Sequence, residues 1–195
     1  MDIIEHTENY LSELKKSIDA LPREKIRRIT EILLDAHKRG AKVIIMGNGG
    51  SAATASHMVC DLGKGTAVEG VPRIRAVALN DNVPLLTAWS NDTEYQYAYM
   101  EQLANLLEEG DVVIGISGSG NSPNVLNAIQ YANEHGGITV GFTGFQGGKL
   151  AAMCRECIVV PSDNMERIED IHLILEHLIK LYIRDCFAKM GAPTE

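Results

Sequence analysis

Five short apolar segments are spaced along the central part of the chain, and they predict strands. Several are apolar at nearly every position instead of every second one, which is typical of strands covered on both faces of a sheet. They lie at residues 42–46, 74–79, 111–116, 138–142 and 157–161. Helical patterns stand between several of them, at residues 51–62, 97–107 and 122–135. This alternation predicts a parallel five-stranded sheet with helices packed on it, an α/β sandwich.

Two longer helical stretches flank the predicted sheet. Apolar residues recur at helical spacing before it, and Pro22 marks a junction between two helices there. Residues 165–189 form one long amphipathic pattern. Such stripes either complete the core of the subunit or pack against another subunit, and the pattern alone leaves both open. We expect a single domain over residues 1–195, with a helical arm at about 1–40 and the core at about 41–195.

Composition and charge exclude several classes of protein. Eighteen basic and 26 acidic side chains give a net charge of −8, so the concentrated basic surface that binds nucleic acid is not expected. The N-terminal residues lack the pattern of a signal peptide, and no apolar run approaches the roughly 20 residues that span a bilayer. The four cysteines do not form a dense disulfide framework. We therefore expect a cytoplasmic protein without a nucleic-acid or membrane partner.

Two loops rich in glycine and serine follow the first and third predicted strands. Their sequences are GNGGS at 47–51 and SGSGNSP at 117–123, and each stands directly before a predicted helix. Either loop alone is compatible with a tight turn and a serine cap. Two of them at the carboxyl ends of strands favour an anion site made of hydroxyls, backbone N–H groups and helix N-termini. Because neither matches a nucleotide P-loop or a dinucleotide fingerprint, we expect a small phosphorylated ligand and no nucleotide cofactor.

Histidines and carboxylates recur on two of the predicted helices. His57 and Asp61 are four residues apart, and Glu169 and His177 are eight apart, so that each pair roughly shares a helix face. Such a set is compatible with a metal site of nitrogen and oxygen ligands, with a general acid and base, or with exposed surface pairs. On the helix predicted at residues 165–189, we expect Asp170 and Glu176 to lie on a solvated stripe. We expect His172 to lie in the core or at an interface between subunits.

The order of these motifs resembles the sugar isomerase (SIS) family. The motifs are GNGGS, the helix with His57 and Asp61, the pair Asn91-Asp92, the loop SGSGNS, and RIEDIHLILEH at 167–177. Within that family their spacing resembles the phosphoheptose isomerases over nearly the whole chain. The resemblance implies a flavodoxin-like, three-layer αβα fold and an isomerase that converts sedoheptulose 7-phosphate to D-glycero-manno-heptose 7-phosphate through an enediol. It leaves two alternatives, a SIS isomerase for another sugar phosphate and a non-catalytic partner-binding protein similar to the bacterial DnaA initiator-associating protein.

The resemblance also implies a role for each matching residue. It assigns proton transfer to Asp61 and His177, and one zinc ion per site to His57, Asp61, Glu169 and His177. It further implies a homotetramer with sites built between subunits, for which the long terminal helices would supply the contacts. The expected contacts to the sugar phosphate are Asn48, Gly49, Gly50, Ser51, Asn91, Asp92, Ser117, Gly118, Ser119, Ser122 and Glu169.

The chain departs from the family pattern at two of these positions. Asp61 stands where the family usually has glutamate, so its carboxylate is one methylene closer to the backbone. Glu169 stands where the family usually has glutamine, and its added negative charge should strengthen the attraction for a divalent cation. These departures concern the identity of the substrate more than the type of reaction.

Overall fold

The structure is a computed structural model that describes residues 2–191. Its centre is a sheet of five parallel strands in the spatial order β2-β1-β3-β4-β5. The strands are β1 (Lys42–Gly47), β2 (Arg75–Ala78), β3 (Val112–Ile116), β4 (Ile138–Thr143) and β5 (Glu156–Val159). Each predicted apolar segment overlaps one of these strands, which confirms the parallel α/β sandwich.

Eight α-helices surround the sheet in the described part of the chain. They are α1 (Ile3–Asp19), α2 (Arg23–Arg39), α3 (Gly50–Cys60), α4 (Val83–Asp92), α5 (Ala98–Leu106), α6 (Pro123–Glu134), α7 (Leu150–Met153) and α8 (Met165–Gly191). The sequence pattern did not predict α4 or α7. Helix α4 buries none of its residues, so no apolar stripe marked it, and α7 has only four residues.

Consecutive strand residues face two separate apolar layers. Ile45 and Ile114 belong to the layer that the sheet forms with α2, α3 and α8. Ile44 and Val113 belong to the opposite layer, with α5 and α6. All four side chains are fully buried, which explains why β1 and β3 are apolar at successive positions.

The two helices before the sheet differ in what they bury. Helix α2 places Ile26, Ile29 and Leu33 in the core. Helix α1 instead leaves Ile4 and Leu11 more than half exposed, at 65% and 57%. The first half of α1 therefore does not complete the core of this subunit, whereas Leu14 and Ile18 in its second half pack against that core. Within residues 2–191, no helix combines the length and the apolarity that crossing a bilayer requires.

The register of the sheet brings the two glycine and serine loops side by side. Gly47 of β1 pairs with Ile116 of β3, so both loops begin at the same level of the sheet edge. The helices that follow leave on opposite faces, α3 toward α2 and α8, and α6 toward α5. Open α/β sheets bind their ligands at this type of crevice, between strands whose helices diverge.

Candidate active site

A small cavity separates the two loops at the carboxyl edge of the sheet. Its volume is about 120 Å³, and Ser117 and Ser122 meet there with their hydroxyl oxygens 3.0 Å apart. Gly120 has a φ of +66°, a conformation that glycine adopts without strain and that lets the loop fold back. The cavity is lined by Asn48, Ser51, Ile116, Ser117, Gly118, Ser119, Ser122, Met165 and Glu169. Hydroxyl donors next to the start of α6 are suited to an oxyanion such as phosphate.

Side-chain amides fasten the two loops to each other. Asn48 and Asn124 exchange two hydrogen bonds of 2.9 Å, each amide nitrogen donating to the other's oxygen. The Tyr95 hydroxyl donates to the same Asn48 oxygen at 2.7 Å, and the Tyr99 hydroxyl donates to the Gly47 carbonyl. Sequence reasoning identified Asn48 but missed the other partners. The position of Asn124, directly after the serine loop and Pro123, was the only available signal for it.

Glu169 is the one acidic side chain that lines this cavity. It lies in the second turn of α8, against the first residue of α3. A β-carbon on Gly50 would meet the Glu169 carboxylate carbon at 2.6 Å, so the absence of a side chain at Gly50 makes room for this group. A carboxylate beside a phosphate-type pocket is placed to accept hydrogen bonds from sugar hydroxyls.

Asn91 and Asp92, which were also expected to contact the substrate, lie at the exposed end of α4. The Asn91 amide donates to the Asp92 carboxylate at 3.0 Å. Neither residue lines the cavity between the loops. Their contact with a substrate stays a prediction.

A second group of functional side chains lies where α3 packs on α8. One donor atom each from His57, Asp61, Glu176 and His177 lies within 4.8 Å of the others. The Nε2 atoms of the two histidines are 3.1 Å apart, and each is 3.9 Å from Oδ2 of Asp61. Oε2 of Glu176 is 3.5 Å from the His177 nitrogen and 3.9 Å from the His57 nitrogen. Three of the four predicted metal ligands are thus brought together.

The fourth carboxylate of this cluster is a residue that the sequence did not predict. Glu176 was expected on a solvated stripe, and that expectation is wrong, because its side chain is fully buried. Glu169, which the resemblance assigned as a ligand, lies two turns earlier on α8 and is not part of the cluster. Its role as a ligand stays a prediction. His172 is fully buried, which confirms the expected core histidine.

The backbone changes its winding where α3 reaches Asp61. Residues Asp61–Gly65 form a π-helical turn that continues α3. Such turns insert an extra residue into a helix, are costly, and often occur at functional sites. Here the turn places Asp61 against His57, His177 and α8. No sequence signal distinguishes it from an ordinary helical turn.

The two carboxyl groups of the cluster have opposite electrostatic environments. Burial alone would raise the pKa of Asp61, but the Lys180 ammonium, 3.1 Å away, holds that pKa below its usual range. Burial, and then the neighbouring charge of Asp61, raise the pKa of Glu176 to about 8. Asp61 is therefore ionised at neutral pH, while Glu176 retains a proton in this arrangement. A pair of carboxyl groups with separated pKa values is typical of acid–base sites.

The donor set of the cluster fits a divalent cation. In the ionised form that would hold a cation, both carboxylate oxygens of Glu176 are buried without a hydrogen-bond partner, which is costly for a charged group. The two imidazole Nε2 atoms face each other, and only one of them can donate a hydrogen to the other. Two imidazole nitrogens and two carboxylate oxygens form a ligand set that suits zinc. A cation among these atoms would satisfy all four groups.

The fold and the loop site define the class to which the protein belongs. The family described as "SIS domain" matches residues 8–144. That match spans more than half of the chain, and the doubly wound sheet with a serine-rich loop after β3 agrees with it. The chain belongs to the SIS domain family.

Within that family the chain is of the phosphoheptose isomerase type. A phosphoheptose isomerase of Aliarcobacter butzleri is 39% identical over 159 residues, which cover 80% of this chain and 82% of that protein. One of a Nitratiruptor species is 35% identical over 188 residues, covering 95% and 100%. The solved phosphoheptose isomerase of Neisseria gonorrhoeae superimposes with a TM-score of 0.86 at 30% identity, covering 94% and 100%. These similarities confirm the expected family and make the chain a phosphosugar isomerase.

Proposed function

We propose that the chain interconverts sedoheptulose 7-phosphate and D-glycero-manno-heptose 7-phosphate in the cytoplasm. The observation that carries the proposal is the placement of an anion cavity and an acid–base cluster on the same two helices. On α3, Ser51 and His57 are six residues apart, which corresponds to about 9 Å along the helix. A seven-carbon sugar phosphate has a comparable reach from its phosphate to its carbonyl end. The names of the relatives support the same substrate.

The serine loop would hold the phosphate. Ser117, Ser119 and Ser122 offer hydroxyl donors, and α6 begins directly after Ser122, so the positive end of its dipole lies beside the cavity. Neutral donors suffice because they are held in position by the Asn48–Asn124 pair and are not reorganised when the anion arrives. Binding energy from this remote group fixes the register of the sugar chain.

Proton transfer would take place at the other end of the sugar. After ring opening, Asp61 removes the proton from the carbon next to the carbonyl while the carbonyl oxygen takes up a proton, which gives a cis-enediol. His177 acts as the acid that returns a proton on the other carbon, and the remaining enediol hydroxyl loses its proton as the new carbonyl forms. The ionised state of Asp61, maintained by Lys180, suits a base. The imidazole of His177 is half exposed, so it can exchange its proton with solvent.

A zinc ion is the metal that best fits the cluster, and His57, Asp61, Glu176 and His177 are the residues that would hold it. When bound, zinc supplies polarisation of the carbonyl and hydroxyl oxygens of the substrate. Glu169 then accepts hydrogen bonds from the sugar hydroxyls in the cavity between the two loops.

The exposed apolar surface supports a homotetramer with sites between subunits. Leu178, Leu181 and Tyr182 follow His177 on α8 and are 46%, 52% and 56% exposed. A groove of about 540 Å³ lies between Leu178 and Tyr182 and the side of α2 around Ile26. Apolar surface of this kind beside a catalytic histidine is typical of an interface between subunits.

Substrate profiling tests the proposal. The purified protein is assayed with sedoheptulose 7-phosphate, fructose 6-phosphate and arabinose 5-phosphate at matched concentrations. We expect kcat/KM for the seven-carbon substrate to exceed the others by at least about tenfold, a difference of about 1.4 kcal/mol in transition-state binding. A preference for a shorter sugar would contradict the heptose assignment. No turnover of any of them would contradict the enzyme assignment and favour a partner-binding role.

A further inference from the structure

Lys180 lies beside the histidine and carboxylate cluster without belonging to its donor set. It follows His177 by three residues on α8, and its Nζ is 3.1 Å from Oδ2 of Asp61. Both side chains are mostly buried, with 18% and 16% exposed. A lysine in this position forms a partly buried ion pair, which solvent screens less than a surface pair and in which the loss of one partner leaves the other charge uncompensated.

The backbone of the π-helical turn makes room for this lysine. A β-carbon on Gly65 would lie 2.5 Å from Cε of Lys180 and 3.2 Å from Oδ1 of Asp61. Any side chain at position 65 would therefore occupy the space in which the ion pair lies. The position of Lys180 on α8 therefore depends on the absence of a side chain at Gly65 in the π-helical turn.

The electrostatic effect of Lys180 depends on the charged groups around Asp61. Asp61 and Glu176 each offer a carboxylate oxygen to a set of donor atoms that all lie within 4.8 Å of one another. Among the ion pairs of residues 2–191, Lys180 is the only lysine or arginine that contacts either carboxylate. It contacts Oδ2, the same Asp61 oxygen that faces both imidazoles. The Lys180 ammonium and a divalent cation in the cluster would therefore compete for the same oxygen of Asp61.

We infer that Lys180 is a positioning residue that balances the charge of Asp61 before a divalent cation binds, and that it thereby weakens zinc binding; this inference rests on the proposed zinc site. The reason is electrostatic. A cation held by the two imidazoles and Asp61 would lie within a few ångströms of the ammonium, where two like charges repel strongly at the edge of a protein interior. Before zinc binds, the Lys180 ammonium balances the charge of the Asp61 carboxylate. Once zinc binds, the cation balances that charge and the ammonium only repels it.

Lys180→Met tests the inference, because methionine keeps most of the apolar stem and removes the charge. Lys180→Arg keeps the charge, and Lys189→Met removes a charge from an exposed position of the same helix. The readouts are the melting temperature of metal-stripped and zinc-saturated protein and the zinc Kd from chelator competition. Without metal, we expect Lys180→Met to melt about 5 °C below the wild type, since Asp61 loses its counter-charge.

Zinc should reverse most of that loss. We expect zinc to bind Lys180→Met about tenfold more tightly than the wild type, and the zinc-induced rise in melting temperature to be about 4 °C larger. Lys180→Arg and Lys189→Met should both show the wild-type Kd. An equal or weaker zinc Kd in Lys180→Met, with equal losses of melting temperature in both states, would assign the lysine to packing and overturn the inference. If zinc bound neither wild type nor variant, the metal site itself would fail and the inference with it.

Discussion

Alanine substitutions at Gly47 and Gly50 in the first loop should differ in their effect on stability, because the added β-carbons collide with different kinds of neighbour. A β-carbon on Gly47 would lie 2.6 Å from the carbonyl oxygen of Ser51 and 2.8 Å from its β-carbon. Ordinary contacts require about 3.5 Å, so the first turn of α3 would have to move by nearly 1 Å relative to β1. A β-carbon on Gly50 would instead meet the Glu169 carboxylate, the far end of a flexible side chain that can rotate away.

The magnitudes follow from these contacts. Overpacking against backbone costs about 1–3 kcal/mol, so Gly47→Ala should lower the melting temperature by about 2–12 °C in a chain of this size. A shift of nearly 1 Å in this first loop, which lines the ligand cavity, should also lower kcat/KM by about 100-fold. Gly50→Ala should leave stability unchanged or raise it by about 0.5 kcal/mol, since Gly50 lies in a helix and has no left-handed backbone. It should still lower kcat/KM by about tenfold, because Glu169 leaves the cavity.

Differential scanning calorimetry and steady-state kinetics on the same preparations measure both effects. Ala53→Gly, at an exposed position of the same helix, is the control for changes in helix propensity alone. Wild-type kcat/KM in Gly50→Ala would refute the assignment of Glu169 to the substrate. An unchanged melting temperature in Gly47→Ala would refute the claim that α3 is packed tightly on the loop.

Three further predictions concern single side chains. Asp61→Asn should lower turnover by at least about 1,000-fold and leave substrate binding, measured by calorimetry, within about threefold; near-wild-type turnover would remove Asp61 from the base role. Ser122→Ala should raise KM about tenfold with little change in kcat, and an unchanged KM would mean that the phosphate lies elsewhere. Burial lowers the pKa of His172 to about 4, so the unfolded chain takes up a proton below about pH 6.5 that the folded chain refuses. Roughly 3 kcal/mol of stability, fully present above pH 6.5, should be lost as the pH falls toward 4, and urea unfolding should show a flatter dependence on pH in His172→Gln. Identical pH dependence in both proteins would contradict a buried neutral His172.

The sheet and the loops could be predicted because each leaves a local mark in the sequence. Burial on both faces makes β1 and β3 apolar at successive positions, and the glycine and serine loops follow them directly. Parallel strands end at one edge of a sheet, so two loops after two strands have to lie near each other. His57 and Asp61 could be placed on one helix face from their spacing alone.

The features that were missed depend on contacts between distant segments. Glu176 stands beside His177 in an ordinary helical pattern, and only the packing of α3 against α8 buries it. Lys180 forms its ion pair with Asp61, which lies more than one hundred residues earlier in the chain. The π-helical turn at Asp61 is set by that same packing and has no local signature. Helix α4 remained unpredicted because its apolar residues stay partly exposed.

Product formation from sedoheptulose 7-phosphate, followed with metal-stripped protein and again after zinc is added back, tests the central claim most directly. We expect little turnover without metal and restored turnover with zinc at one equivalent per site, with Asp61→Asn inactive under both conditions. Full activity of the stripped protein would contradict the metal assignment of His57, Asp61, Glu176 and His177 and leave the isomerase. No product under either condition, from a protein that calorimetry shows to bind the substrate, would contradict the isomerase itself.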